Sequence, residues 1–362
     1  MTVAILRKYT IREMIIPFIL TLLLFTFIFL TGSIVKIADT VLNKGVGFWD
    51  VMKMLGLILP NVFSFTLPTS ALAAVLLTLG GFSQNNELRA MKAVGINLFT
   101  IMVPVLMIAV LLSIFALAFN DQVVTAASFA ERKLTKQIIF KNPTAIFEPN
   151  RFVKDFKEYI FHVKAVKGNR LEQVIIYHPQ EGKPTQNIIA EYGEIIISPD
   201  GSEITLKLYN GTVDEPGGEE LYKLDFQTYT LPPLKIESAA RVQKKTRELR
   251  LNELLQRIHS YDTESAKERL RYRTEFHKKI SFSLAPFVFV LIGLPLAVLV
   301  RRGELIWSFS ISMCVVIIYY VMYVWVGTIS DHGTLPPEIA LWLPNVILIG
   351  LGAFVMRRAI IS

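Results

Sequence analysis

The chain has 362 residues, of which 52% are hydrophobic and 19% charged, and its formal net charge is +8 at pH 7. A soluble protein of this size carries about a quarter charged residues, and here the charges are also segregated: residues 120–279 hold 26 of the 38 Lys/Arg and 23 of the 30 Asp/Glu. That distribution excludes an ordinary soluble enzyme and points to lipid-embedded helices around a water-exposed insert. A single cysteine, Cys314, excludes an intrachain disulfide framework or Cys-based zinc site and reads as a small packing residue.

An uncharged run of about 20 residues is long enough to cross a bilayer as a helix, and in lipid the backbone must satisfy its own hydrogen bonds, which selects helices over open strands. The N-terminal half has three such runs, Ile15–Val35, Met54–Phe82 and Ala93–Phe119. The first is too long for a signal peptide and lacks a small-residue cleavage site, so a retained anchor is expected. Between the second and third runs lies Ser83-Gln84-Asn85-Asn86-Glu87-Leu88-Arg89-Ala90-Met91-Lys92-Ala93-Val94-Gly95. It suits either a solvated loop or a short amphipathic helix closed by Gly95 as its C-cap, a piece on which a soluble partner can dock.

Residues 120–145 read as a connector. From 146 to 234 the pattern changes to short alternating segments: Tyr159–Val166, Gln173–Tyr177, Asn187–Tyr192, Glu194–Ile197, Glu203–Tyr209 and Leu221–Thr230. The breaks have turn chemistry, namely Lys167-Gly168-Asn169, Pro199-Asp200-Gly201, Asn210-Gly211 and Pro216-Gly217-Gly218. An all-β, jelly-roll-like insert is expected. Residues 235–279 then form a basic helical connector with thirteen Lys/Arg against seven acids. Leu249, Leu251, Leu254, Leu255 and Ile258 make its apolar stripe, and Asp262 or Thr263 is placed to cap a second helix running to Lys279.

Three further apolar runs, Ile280–Val300, Leu305–Ser330 and Ile339–Met356, complete a three-plus-three arrangement of membrane halves at 1–119 and 280–362. Nine Lys/Arg flank the spans on one side: Arg7, Lys8, Arg12, Arg89, Lys92, Arg301, Arg302, Arg357 and Arg358. The short loops opposite carry three, Lys36, Lys44 and Lys53. The positive-inside rule therefore expects both termini in the cytoplasm and residues 120–279 on the far side. Proline recurs in the spans at Pro17, Pro60, Pro68, Pro104, Pro286, Pro295 and Pro344, where each is a possible kink.

Chemistry-bearing constellations are missing from the sequence. His162 and His178 have no closely spaced ligand partner, the carboxylates are scattered, and there is no G-x-x-x-x-G-K-[ST] phosphate loop. The chain is expected to be no enzyme, to bind no metal or cofactor, and not to hydrolyse ATP by itself.

Three stretches resemble the LptF/LptG (YjgP/YjgQ) family of permease subunits of the lipopolysaccharide-export ABC transporter. They are Leu59-Pro60…Phe65-Thr66-Leu67-Pro68, then Asn86-Glu87-Leu88-Arg89-Ala90-Met91-Lys92-Ala93-Val94-Gly95, and Glu275-Phe276-His277-Lys278-Lys279…Pro286…Gly293-Leu294-Pro295-Leu296. The resemblance extends over essentially the whole chain. The runs Pro60–Pro68 and Phe276–Lys279 look more like the LptF branch, whereas Gly32-Ser33-Ile34-Val35-Lys36-Ile37-Ala38-Asp39 is similar to the family at large.

The resemblance implies a multi-pass protein of the bacterial inner membrane in a heterodimer with a second permease of the family. Its further partners would be a cytoplasmic ATPase dimer (LptB-type) that uses the ATP, a single-span periplasmic bridge protein (LptC-type) and a soluble bridge protein (LptA-type). A cavity between the permeases would take up lipopolysaccharide, and closure would pass it to periplasmic jelly rolls and on toward the outer membrane. It implies a coupling helix at Glu87, Leu88, Arg89, Met91 and Lys92, with Glu87 matching the family's acidic residue, and it sets Lys36 against a lipid phosphate as in the LptG branch.

An apolar cavity for a bulky anion needs a cationic rim, and the candidates are Lys36, Arg132, Lys133, Lys136, Arg271, Arg273, Lys278 and Lys279. The same cations equally suit snorkelling anchors. Alternatives to lipopolysaccharide export are a permease for another envelope lipid or for lipoproteins, and a non-catalytic envelope scaffold. A membrane-bound hydrolase or glycosyltransferase would need a catalytic constellation that the sequence lacks.

Overall fold

The computed structural model describes residues 2–44, 47–141, 147, 149–153, 159–179, 185–198, 203–217, 220–235, 243–260, 266–299 and 305–361. Six helical stretches among them are long and apolar enough to cross a membrane: Ala4–Ile34, Phe48–Gln84, Phe99–Ile138, Ala266–Val298, Phe309–Asp331 and Pro337–Arg357. The six expected spans are all present, and most helices run past their apolar cores. The chain divides into two compact units, 1–33 with 56–129 and 244–362, and 34–55 with 130–243.

The first unit is a helix bundle. Helices α1 (Thr2–Lys44) and α2 (Phe48–Gln84) are followed by a short α3 (Glu87–Ala93) and by α4 (Phe99–Phe119). The third span thus begins at Phe99 and not at Ala93, because α3 is closed off and a turn follows, in which Asn97 Oδ1 accepts from Phe99 N at 3.0 Å. Beyond α4 the backbone continues through a π-helical turn, Asn120–Val124, into α5 (Thr125–Lys141). The expected connector is therefore largely a prolongation of the span.

On the return, a 3-10 turn at Thr246–Glu248 leads to α6 (Leu251–His259), α7 (Ala266–Ser283), α8 (Ala285–Leu299), α9 (Leu305–Asp331), α10 (Pro337–Ala340) and α11 (Leu343–Ile361). The caps expected at Asp262 and Thr263, and the cations Arg301 and Arg302, lie outside the described residues.

The bundle core explains its order. α2 is buried without interruption from Thr66 to Leu76, and it meets α8 through Gly293, where a Cβ would come within 2.7 Å of Leu72 Cδ1. Gly352 of α11 approaches the α8 backbone in the same way, with a Cβ 3.3 Å from Ile292 Cα. Small residues replace the missing hydrophobic drive between helices in lipid by close van der Waals packing. α1 and α9 sit at the periphery with long apolar faces exposed. Cys314 of α9 is among the exposed residues and is not a core-packing position.

The prolines differ in effect. Pro17, Pro60, Pro68, Pro104 and Pro295 are accommodated inside helices, and Pro344 stands in the first turn of α11. Pro286 splits the fourth span into α7 and α8 at Leu284. The donor freed there, Phe287 N, is satisfied by Ser113 Oγ of α4 at 3.1 Å, as an interrupted helix in a dry environment requires.

The second unit contains one antiparallel sheet, expected from the alternating segments. Its strands are β1 (Phe152–Val153), β2 (Ile160–Lys167), β3 (Arg170–His178), β4 (Gln186–Ile197), β5 (Glu203–Gly217), β6 (Glu220–Thr230) and β7 (Leu234–Lys235). They pair in sequential order β1 to β6, with β7 returning to β5, so the described strands form a meander without the Greek-key crossing of a two-sheet jelly roll. Gly168, at φ 58°, makes the expected β2–β3 turn.

Asn210-Gly211 is not a turn: it lies inside β5, whose pairing with β4 keeps one register from Ile197↔Ile204 to Asn187↔Asp214. Pro216 likewise remains in the ladder, opposite Leu221. The ladders instead pass over a single row of residues, Lys164, Gln173, Glu191, Asn210 and Gln227, in all four strand pairs. Gln173 (φ 48°) and Asn210 (φ 51°) turn left-handed in that row, and Asn210 Nδ2 donates to Glu191 Oε2 at 3.2 Å.

The alternation of buried side chains changes phase across the row. Val163 gives way to Val166, Leu171 to Val174, Ala190 to Gly193 and Leu208 to Val213. One creased sheet thereby keeps a single apolar face along its full strand length. Gly211 is required beside the crease, where a Cβ would lie 2.2 Å from Ile189 O.

Candidate functional site

The loop between the second and third spans folds as the seven-residue α3, introduced by Asn86 at φ 60°. Its end is the glycine cap expected from the sequence: Gly95 takes φ 77°, its N–H donates to Lys92 O at 3.0 Å, and Ile96 N–H donates to Met91 O at 3.0 Å. This pairing of bonds is a Schellman motif, which stops the helix and satisfies its last carbonyls.

Leu88 is buried in the bundle core and Met91 packs against it, together with Phe82, Leu98 and Met14. Arg89, Ala90, Lys92 and Ala93 are exposed, and Val94 is 76% exposed. Arg89 is steadied by Asn86 Oδ1 at 3.1 Å. Two of the five expected coupling residues therefore anchor α3, while Arg89 and Lys92 face out beside Ala90, Ala93 and Val94, which sequence reasoning did not single out. Glu87 accepts from Tyr9 Oη at 3.2 Å and Asn85 Nδ2 at 3.4 Å. The start of α1 and the α3 loop thus share one end of the bundle.

The basic candidates have unequal surroundings. Lys36 lies within α1, and its side chain is outside the described residues. On α5, Arg132 donates to Gln243 O, Lys133 is exposed and Lys136 is half-buried. On α7, Arg271 is exposed, Arg273 pairs with Glu338, and Lys278 pairs with Asp331 at 3.0 Å. Lys279 is drawn inward, with its side chain 9% exposed. It donates to Thr125 Oγ1 at 2.7 Å and Leu249 O at 2.5 Å, and stands 3.9 Å from Asp121 Oδ1.

Lys279 belongs to a polar joint built around the π-helical turn. Asn120 Oδ1 accepts from Ser64 Oγ of α2 at 2.5 Å, and its Nδ2 donates to Ser283 Oγ of α7 at 3.1 Å. Asp121 Oδ1 accepts from Leu251 N at 2.7 Å and so holds the first turn of α6. On the outer side of α6, Glu253 accepts from Lys244 Nζ at 2.6 Å and Arg250 N at 2.8 Å. The Lys244 hydrogen bond keeps the Glu253 carboxyl below the usual carboxylate range. π turns in otherwise α-helical spans concentrate at functional positions, and this one ties spans 2, 3 and 4 to the helix that re-enters the bundle. Among the described residues there is no group of three or more His, Cys, Asp or Glu arranged to hold a metal ion.

The family model for the lipopolysaccharide export system permease LptF/LptG matches residues 8–358, which is nearly the whole chain and includes both α3 and the joint. The chain belongs to the LptF/LptG family. It is similar to the lipopolysaccharide export system permease protein LptF of Escherichia coli (strain K12), 23% identical over 357 residues covering 96% of this chain and 93% of that protein. The proteins of the same name from Escherichia coli O157:H7 and Shigella flexneri give the same figures. The chain is thus an LptF/LptG-family permease of the lipopolysaccharide export system, a multi-pass membrane protein with six apolar helices and an antiparallel β insert.

Proposed function

We propose that this chain is the LptF-type member of a permease heterodimer and that it takes its energy from a separate cytoplasmic ATPase, which binds and hydrolyses the ATP and docks on α3. The observation that carries this reading is the build of α3: a short helix riveted to the bundle by Leu88 and Met91, closed by Gly95, and presenting Arg89, Lys92 and Val94 outward. On this reading α3 and both termini lie in the cytoplasm and residues 120–279 in the periplasm of a cell with an inner and an outer membrane, which the positive loops on the α3 side support. The contact between Tyr9 and Glu87 supports that placement, because it joins two segments assigned to the same side. The remaining partners on this reading are the LptC-type and LptA-type bridge proteins.

On the periplasmic side, the cations we assign to lipopolysaccharide phosphates are Lys36, Lys133 and Lys136 in the one unit and, separately, Arg271 in the other. Each cation near an anionic lipid surface is worth on the order of 1 kcal/mol, so several together hold a diphosphorylated headgroup. Arg273, Lys278 and Lys279 are engaged by Glu338, Asp331 and the polar joint, which favours a structural duty for them.

Co-purification of an ATPase with the chain, and stimulation of its turnover by lipopolysaccharide, tests the reading and separates a transporter from a scaffold. Glu87→Ala is expected to uncouple ATP hydrolysis from export; normal export by that variant removes Glu87 from the coupling path. Charge reversal at Lys36 and Lys136 is expected to weaken crosslinking of lipopolysaccharide to the purified complex, and undiminished crosslinking takes them out of the site.

A further inference from the structure

Glu87 opens a short surface helix, where a carboxylate with three rotatable bonds has no fixed direction of its own. In this fold both of its oxygens are engaged, Oε2 by the Tyr9 hydroxyl at 3.2 Å and Oε1 by Asn85 Nδ2 at 3.4 Å. Asn85 belongs to the same loop and moves with it. Tyr9 belongs to a different span and lies 78 residues away in the chain. Its ring is fixed independently of the hydrogen bond, stacked on Phe82 at the end of α2 with centroids 5.4 Å apart and planes 14° from parallel. Phe82 is itself buried in the bundle core.

Tyr9 also borders the face by which α1 grips the bundle. Thr10, Met14, Thr21 and Phe25 recur at helical spacing and are all buried, and Met14 shares the core cluster with Leu88 of α3. Thr21 Oγ1 bonds to Ser70 O of α2 at 3.3 Å, and Thr26 and Thr66 bond through their hydroxyls at 3.2 Å. The opposite face of α1, including Ile16, Leu20, Leu23 and Phe27, is exposed. α1 is therefore a peripheral span held along one stripe, and its first turns meet the α3 loop both by packing and through the Glu87 carboxylate.

We propose that Tyr9 is a positioning residue for Glu87: it aims the carboxylate for docking and joins the position of α1 to that of α3. The proposal rests on the docking role assigned above to Glu87. A partner that presses on α3 then displaces the end of the first span, and a displaced first span presents a misaimed Glu87.

The test uses the complete transporter in proteoliposomes containing lipopolysaccharide, with Tyr9→Phe, Glu87→Gln and both together. Tyr9→Phe keeps the ring on Phe82 and deletes only the hydroxyl. The readout is lipopolysaccharide released per ATP hydrolysed. One exposed hydrogen bond to a carboxylate sets the scale, and Tyr9→Phe is expected to lower the ratio about three-fold. Glu87→Gln is expected to lower it at least as far, and the double variant no further than Glu87→Gln alone.

That non-additivity is the signature of one residue acting through the other; a merely structural tyrosine gives multiplying effects. The proposal is overturned if Tyr9→Phe behaves as wild type while Glu87→Gln is impaired, or if the two losses multiply. If Glu87→Gln is itself without effect, the docking reading falls first and takes the proposal with it.

Discussion

Lys279→Met asks whether this cation serves the fold or the lipid. The lysine sits at a nearly closed position and spends its charge on Thr125 Oγ1, Leu249 O and Asp121. Methionine keeps most of the volume and removes the ammonium, which leaves Leu249 O without that donor and Asp121 without its counter-charge. Breaking a buried charged pair from one side costs about 3–5 kcal/mol. Asp121 keeps 21% exposure, so water compensates part of the loss and the lower end, about 3 kcal/mol, applies.

The cost falls on the joint, because Leu249 lies two residues before the start of α6 and Asp121 holds its first turn. A multi-unit membrane protein has no single unfolding free energy, so the measurement is local: hydrogen exchange of residues 243–260 in the purified complex. At about 1.4 kcal/mol per decade, exchange there is expected to rise roughly 100-fold. Asp121→Asn added to Lys279→Met is expected to restore part of the protection, since the uncompensated carboxylate is then gone. Arg271→Met, at an exposed position of the same helix, is expected to leave it unchanged. Unchanged α6 protection in Lys279→Met, accompanied by loss of lipopolysaccharide crosslinking, refutes the structural assignment and returns Lys279 to the lipid site.

Three further outcomes follow from the same geometry. Asn120→Ala strips the π-helical turn of its bonds to Ser64 and Ser283; the half-buried Ser64 hydroxyl loses this acceptor while Ser283 keeps its bond to Lys279 O, so a loss of about 1–2 kcal/mol is expected, read as earlier detergent-induced unfolding of the membrane helices. Gly211→Ala forces a Cβ against Ile189 O and Phe226 Cζ. The expected penalty is about 3 kcal/mol, visible as new protease cleavage within residues 186–230 of the full-length protein.

The contribution of the Glu253 carboxylate to α6 depends on pH. Its folded-state pKa is depressed by the Lys244 hydrogen bond, so the stabilisation is present above the unfolded value of about 4.3 and is lost as pH falls through the lower folded value. Protection of α6, corrected for the intrinsic pH dependence of exchange, is expected to hold down to about pH 5 and to weaken below about 4.3, with that dependence absent in Glu253→Gln.

The sheet shows where pattern reading stops. Alternation identifies strands because successive side chains point to opposite faces, and each expected segment from Tyr159 to Thr230 coincides with strand. The crease breaks that alternation at Gln173, Glu191 and Asn210. Asn210-Gly211 has turn chemistry for a sound reason, since asparagine tolerates the left-handed region and glycine lacks a Cβ. The fold uses the same tolerance inside a long strand to turn the apolar residues back to one face. Only the alignment of the breaks across neighbouring strands distinguishes a crease from a series of hairpins, and alignment between strands is not a property of any local window.

Membrane-span composition, the amphipathic loop and the glycine that closes it were legible in the residues because each is governed by neighbours a few positions away. Lipid solvation depends on the run of side chains, and a Schellman cap depends on one residue's freedom at positive φ. What the tertiary structure decided was which polar groups meet. The joint brings Asn120 to Ser283 over 163 residues and Lys279 to Thr125 over 154, and the carboxylate of Glu87 is shared with a tyrosine from the first span. In an apolar bundle a stranded donor or charge costs several kcal/mol, so such pairings are strongly selected once the helices pack. Identical residue types without that packing, such as exposed Lys133 and Arg271, remain turned to the surroundings. The composition of the chain places cations along its connectors, and helix packing assigns Lys279 to the joint while leaving Lys133 and Arg271 exposed.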